Sequence, residues 1–349
     1  MRRRDFLSAA LVAPAVFRSA SRSFTAAAPR KFEIITRVEL DAAEPARAWI
    51  PLPLSREAPY QRDLGHAIDG NPTQTRVEVI DGARIAVAEW RGRSTSPVLV
   101  VTALVETTDH RVDLRSPRAA VRPADLAHYL RSTRLIPLDG IVRDTALAIT
   151  KGQRTELGRA RAIYDWIVVN TVRNPEVKGC GLGDIRWMLE TKNLSGKCAD
   201  LNALFVGLAR AAGLPARDLY GIRVAPSTQF PSLGRLGGDI TTAQHCRAEV
   251  FLDQFGWVPV DPSDVRKLIL EERPKAALSD AYVSRVREAL FGSWEMNWIA
   301  YNDAHDVALP GSGAAPLPFF IYPQAEISGT RRDSLDPERF RYTITVREL

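Results

Sequence analysis

The sequence predicts an α+β fold, and three observations predict it. Residues 31–115 alternate apolar and polar side chains between polar turns, as half-buried strands do. From Pro123 onward the apolar period changes to that of helices. A hairpin then follows the last of those helices, so helices come first and strands second, as in a segregated α+β core. With 349 residues the chain is long enough for more than one core, and it carries no internal repeat or long low-complexity stretch.

Taken in order, the first element is a leader. Arg3-Arg4, then Phe6-Leu7, then the small and apolar run Ser8–Phe17 resemble a twin-arginine export signal. Thr25-Ala-Ala-Ala28 is the expected cleavage region, which assigns residues 1–28 to the signal. The resemblance implies an exported, periplasmic protein with the twin-arginine export machinery as a transient partner. The apolar run is too short for a stable membrane span. Residues 1–27 hold five arginines and one aspartate, a net of +4 out of the formal +6, so the mature chain keeps only +2. Its remaining Lys and Arg form no runs interleaved with aromatics, so nucleic acid is excluded as a partner.

Next come strands. Phe32-Glu-Ile-Ile-Thr-Arg-Val-Glu-Leu40 alternates, Pro97–Glu106 is a β-branched run, and Asp69-Gly-Asn-Pro72 and Asp81-Gly82 are turns. These define a β-sandwich-like N-terminal domain over 30–118, with Arg115-Ser-Pro-Arg118 near its boundary. Helices are expected at Ala124–Ser132, Gly140–Thr150 and Glu156–Val172. Beyond them lies Ser195-Gly-Lys-Cys-Ala-Asp200, followed by Leu201, Leu204, Phe205, Leu208 and Ala212 on one helical face. Gly213 and Pro215 stop that helix. Cys198 therefore stands at a helix N-terminus, where the dipole and unpaired N–H groups favour thiolate, the nucleophilic form.

Strands at Arg247–Leu252 and Trp257–Val260, joined by Gln254-Phe-Gly256, form the hairpin. It places His245 at the start of one strand and Asp261 at the end of its neighbour, side by side in an antiparallel pair. A carboxylate that orients an imidazole beside a thiol makes a coherent nucleophilic set.

In these blocks the chain resembles the transglutaminase-like superfamily, with its papain-like order of Cys, His and Asp. Gly-Lys-Cys-Ala-Asp with its helix, His-Cys-Arg-Ala-Glu-Val-Phe-Leu, and Gly-Trp-Val-Pro-Val-Asp-Pro-Ser carry the likeness, over roughly Glu156 to Pro262. The resemblance implies Cys198 as nucleophile, His245 as general base and Asp261 as the residue orienting it. It implies a catalytic core over 120–265 and thiol-dependent acyl transfer on amide bonds, hydrolytic as in a cysteine peptidase or amidase. The substrate would be a peptide, a protein or a small amide. Protein-glutamine transamidation by the same triad, or a non-catalytic binding module on the same fold, are the alternatives. Arg247 stands where relatives often have Trp, and Arg173 where they often have an aromatic that helps bind the oxyanion.

Residues 266–349 form a C-terminal extension packing on the core, with a helix at Asp280–Leu290, a closing strand at Phe340–Val346 and a dense aromatic run, Trp294–Tyr301. Trp294, Trp298 and Tyr301 read as core side chains or as a wall of the cleft, and His305 as a structural histidine. The chain has three cysteines, Cys180, Cys198 and Cys246. With Cys198 as nucleophile, the other two are left as a candidate disulfide. No paired-His helix, Cys-x-x-Cys, P-loop, serine elbow or calcium loop is present. No cofactor and no metal site are therefore expected.

Overall fold

The computed structural model describes residues 27–41, 45–92 and 96–349. The leader, through Ala26, lies outside the described residues. No helix among the described residues is long and apolar enough to cross a membrane.

The mixed helix and sheet architecture has two parts. In the central part, a four-stranded antiparallel sheet runs in the order Gly256–Val260, Gln244–Leu252, Ala216–Arg223, Trp298–Asn302. Helix Cys198–Ala211 packs on it, and Gly140–Thr150, Glu156–Asn170 and Pro262–Glu272 gather around that helix. The Cys198 helix is the hub. Leu201, Leu204, Phe205 and Leu208 are fully buried, in one core with Ile163 and Ile167 of a neighbouring helix and Val250 and Val258 of the hairpin. Burying each such side chain contributes roughly 1.5–3 kcal/mol, so this helix is held by packing rather than by propensity.

The second part is a sandwich of two five-stranded sheets. Strands Arg30–Glu39, Gln61–Gly70 and Val98–Thr107 share one sheet, and Ala46–Pro51, Gln74–Ile80 and Ala83–Trp90 share the other. Both sheets take strands from the far end of the chain. Arg341–Glu348 pairs with Arg30–Glu39 from Phe32↔Glu348 to Glu39↔Arg341, and Gln324–Ile327 pairs with Ala46–Pro51. Between the sheets lie Val38, Ile50, Trp90, Leu99, Val101, Ala325 and Phe340. A further cluster of Phe32, Val105, Ile222, Ile299 and Ile344 joins the sandwich to the central sheet.

Two boundaries differ from expectation for local reasons. The helix expected over Ala124–Ser132 is a single 3-10 stretch, Leu126–Leu130. Only Leu126 and Tyr129 are buried there, and the Tyr129 hydroxyl is pinned by donating to Asp303 Oδ2 at 3.0 Å. The helix expected to reach Val172 stops at Asn170, because Thr171 turns extended and its hydroxyl donates to the Ile167 carbonyl at 2.9 Å.

Candidate functional site

Cys198 is the first residue of its helix, and Asp200 builds its surroundings. The Asp200 carboxylate accepts the Leu182 and Gly183 N–H groups, each at 2.9 Å, and that of Lys197 at 2.8 Å. In return the Ala199 N–H donates to the Cys180 carbonyl at 2.9 Å. The loop carrying Cys180 is thereby locked against the start of the Cys198 helix. Close approach requires glycine at two places. A Cβ on Gly181, whose φ is +94°, would fall 1.8 Å from Asp200 Oδ2, and one on Gly196 would fall 2.6 Å from Asp200 Cβ. Burial nonetheless raises the Asp200 pKa against the pull of those N–H donors.

His245 lies on strand Gln244–Leu252, opposite Gly221 in the register. A Cβ at Gly221 would lie 2.5 Å from the Trp298 ring, so the bare glycine admits the indole. Trp298 Nε1 then donates to the His245 carbonyl at 2.9 Å. His245 Nε2 is 2.7 Å from Asp261 Oδ2 and 3.4 Å from Asp264 Oδ2. The geometry of this contact corrects the expected pairing. The hairpin ladder ends at Ala248↔Val260, so His245 and Asp261 are not cross-strand partners. They meet because the chain leaves the sheet at Asp261 and turns into helix Pro262–Glu272, swinging the carboxylate toward the imidazole. Asp261 Oδ1 caps that helix by accepting the Asp264 N–H at 3.0 Å, and also takes the Ser263 hydroxyl at 2.7 Å. Asn202, one turn after Cys198, sends its amide to Asp261 Oδ1 at 3.3 Å and to the Cys246 carbonyl at 2.8 Å.

The three residues singled out in the sequence are thus together and buried, Cys198 at 2 %, His245 at 3 % and Asp261 at 0 % exposure. Hydrogen bonds from the Cys180 and Cys246 thiols, with His245 adding to them, hold the Cys198 thiol well below the ordinary range despite burial. Burial and the Arg223 guanidinium push the His245 imidazole down, but Asp264 and Asp261 outweigh them and raise it to about 9. The two shifts agree in sense and describe a thiolate beside an imidazolium. With Nε2 committed to Asp261, Nδ1 is the nitrogen available to the thiol.

All three cysteines are free and buried, and their sulfurs lie within 4.8 Å of one another. Hydrogen bonding to Cys198 raises Cys180, and burial raises Cys246. A cavity of about 360 Å³ reaches Cys180 and is lined there by Lys178, Lys197, Gln244 and Tyr322.

Sequence reading missed Asp264, whose carboxylate lies beside His245 and pairs with the buried Arg223 through two contacts of 2.7 Å. Its signal was the acidic third position of a helix opened by Pro262. Arg247 takes no part in the imidazole's bonds. Its guanidinium lies 4.8 Å from the Trp298 ring centre and donates to Asn297 Oδ1, so it packs on the indole. Arg173 sits in a two-residue parallel bridge with Ser195–Gly196, just ahead of Cys198. Trp294 and Trp298 are core side chains with Leu54, Tyr60 and Leu219, while Tyr301 belongs to the sandwich-facing cluster. His305 is buried, 3.4 Å from the Tyr220 hydroxyl.

An uncharacterised protein of Haemophilus influenzae is 36% identical over 320 residues, covering 86% of each chain. Among solved structures, a candidate cysteine protease of Cytophaga hutchinsonii superposes with a TM-score of 0.52 at 16% identity, covering 92% of this chain and 99% of that one. The periplasmic domain of TgpA from Pseudomonas aeruginosa aligns at 15% identity over 69% of this chain and 90% of that one, with a TM-score of 0.35. The family profile described as the transglutaminase-like superfamily matches residues 143–262, the stretch that holds the Cys198 helix and the hairpin up to Asp261. With the α+β core in place and that profile laid over it, the chain belongs to the transglutaminase-like superfamily.

Proposed function

We propose that this chain is an exported thiol hydrolase that cleaves amide bonds of peptide-like substrates through a Cys198 acyl-enzyme. One observation carries the reading: Asp261 is joined to His245 at 2.7 Å, and His245 helps to lower the pKa of a buried thiol at a helix N-terminus. The Cys198 thiolate attacks the amide carbonyl carbon. The oxyanion so formed is met by the Cys198 N–H at the helix start, where the dipole favours negative charge. Collapse breaks the C–N bond, and the imidazolium of His245 gives its proton to the departing amine. Neutral His245 next takes a proton from water as the oxygen attacks the thioester. Collapse then releases the carboxylic acid product and restores the thiolate and imidazolium. Asp261 fixes the ring and stabilises its charged form. Hydrolysis needs only water as acceptor, whereas transfer to an amine needs a second site that excludes water.

The test is alkylation of Cys198 against pH, read by mass spectrometry, in the mature protein and in His245→Ala. The thiol should titrate well below the ordinary ~8.5, and the histidine variant should move it upward. A slow thiol indifferent to His245 would overturn the enzyme reading. Incubating peptidyl anilides with and without a fluorescent primary amine then separates hydrolysis from transfer. Release of free acid with no amine incorporation supports hydrolysis, and stoichiometric incorporation would replace it with transamidation.

A further inference from the structure

We infer that Cys180, Cys198 and Cys246 form a three-thiolate site for a soft d10 cation of low coordination number, Cu(I), which caps the nucleophile. The cysteines come from separate parts of the chain: the glycine-rich loop 178–183, the first turn of helix Cys198–Ala211, and strand Gln244–Leu252. The fold nevertheless brings their sulfurs within 4.8 Å of one another. The cluster presents three thiols side by side at 3 %, 2 % and 0 % exposure.

The donor set selects the ion. Thiolates are soft ligands and favour Cu(I) or Zn(II) over the hard cations. Zinc completes a tetrahedron with a fourth ligand. Among the described residues the three sulfurs form one group and His245, Asp261 and Asp264 another. Three thiols suit a trigonal monovalent ion, whereas zinc would have to recruit the His245 Nδ1 beside Cys198 as its fourth ligand, so a nitrogen neighbour in the X-ray absorption shell would overturn the assignment to Cu(I). The supports are also present. Asp200 and the Ala199 N–H fix the Cys180 loop to the Cys198 helix, and Asn202 bonds the Cys246 carbonyl at 2.8 Å. Such outer contacts orient ligands and preserve affinity. The cavity lined by Lys178, Lys197, Gln244 and Tyr322 leads to Cys180 and provides an entry path.

The binding step balances simply. Cu(I) forms bonds to the Cys198 thiolate and to the Cys180 and Cys246 sulfurs, and the latter two thiols release their protons to solvent. No electron is transferred. The buried Arg223 guanidinium offsets part of the negative charge that remains. That the ion silences an enzyme rests on the hydrolase reading above, whereas the site itself does not.

The experiment is anaerobic titration of the reduced mature protein with Cu(I), in competition with a coloured Cu(I) chelator. One ion per chain should bind, all three cysteines should resist iodoacetamide, and Cys180→Ser or Cys246→Ser should each weaken binding by more than the roughly 10–100-fold that loss of an outer contact costs. X-ray absorption on the unmodified protein should show three sulfur neighbours, which decides the matter even where a variant does not fold. Binding unchanged in the serine variants, or a shell with fewer than three sulfurs, overturns the site. So does a Cys180–Cys246 disulfide in the protein as purified, because it leaves one free sulfur. Chelator should restore Cys198 alkylation and amide hydrolysis together. Copper binding without any hydrolysis in the metal-free protein would leave this site standing and remove only the hydrolase reading.

Discussion

His245 and Cys198 divide one proton between them, and their pH behaviour follows from that. In the proposed hydrolysis the thiolate must be free to attack, so activity should fall in acid as Cys198 takes up a proton. The imidazolium must still hold its proton to release the amine, so activity falls again as pH rises through about 9, where Asp264 and Asp261 have set that group. The kcat/KM profile for peptidyl anilide cleavage should therefore be a bell whose basic limb lies near 9. A limb near the ordinary histidine value would show that the two carboxylates do not act on the ring. A second buried residue makes an opposite kind of prediction. Asp218 is 1 % exposed, neither oxygen has a hydrogen-bond partner at normal distance, and burial pushes it up to about 7. A folded-state pKa above the unfolded one means stability present in acid and lost as pH rises through the folded value. Asp218→Asn should stabilise the protein by about 1–3 kcal/mol at pH 8, with the gain shrinking as pH falls and gone near pH 3, below the unfolded carboxyl's ~3.9, as read by urea unfolding at both values.

Among elements, the loop 178–183 and the start of the Cys198 helix behave as one unit, because Asp200 fills the space that two glycines leave open. Gly181→Ala puts a methyl group into that carboxylate and forces a side chain into a positive φ. It should lower stability by at least about 1–3 kcal/mol and slow Cys198 alkylation by releasing Cys180 from its place. A thermal midpoint and an alkylation rate equal to the parent's would show that the loop does not depend on this contact. At this scale the sequence was informative wherever a period was unbroken. The Cys198 helix was legible from Leu201, Leu204, Phe205 and Leu208, and the hairpin from its two short strands and the turn Gln254-Phe-Gly256. The sequence brought Cys180 and Cys246 together only as a candidate disulfide, whereas both are free thiols gathered with Cys198, because local spacing carries nothing about sulfurs 18 and 48 residues away that only tertiary packing unites. Asp264 was hidden for a related reason. An acid in the first turn of a helix looks like an ordinary dipole partner until the hairpin delivers His245 beside it.

Over the whole molecule, the last strand completes the sheet that the first begins. Phe340 and Ile344 are 2 % and 1 % exposed, and Arg341–Glu348 covers one edge of Arg30–Glu39. Deleting residues 337–349 should uncover both that edge and the sandwich core, giving a lower thermal midpoint and concentration-dependent aggregation in light scattering. A truncated protein that remains monomeric with an unchanged midpoint would show that the sandwich does not need its closing strand. The strand itself was visible in the sequence as an apolar run at Phe340–Val346. Its partner was not, because strand pairing across some 300 residues leaves no periodic trace.

That pairing also sets an order of events during synthesis. At about 5–20 residues per second, the strand ending at Glu39 waits on the order of 15–60 seconds before the ribosome has made Arg341, the beginning of its neighbour. Through that interval one edge of the newborn sheet is open, and the gap closes only by a very long loop. The central helices can form and pack on their hairpin meanwhile, but the surroundings of Cys198 are complete only once Ile321 and Tyr322 have been made, shortly before the closing strand. A cell making this protein must shield an unfinished β-edge for most of the time that the chain is being translated.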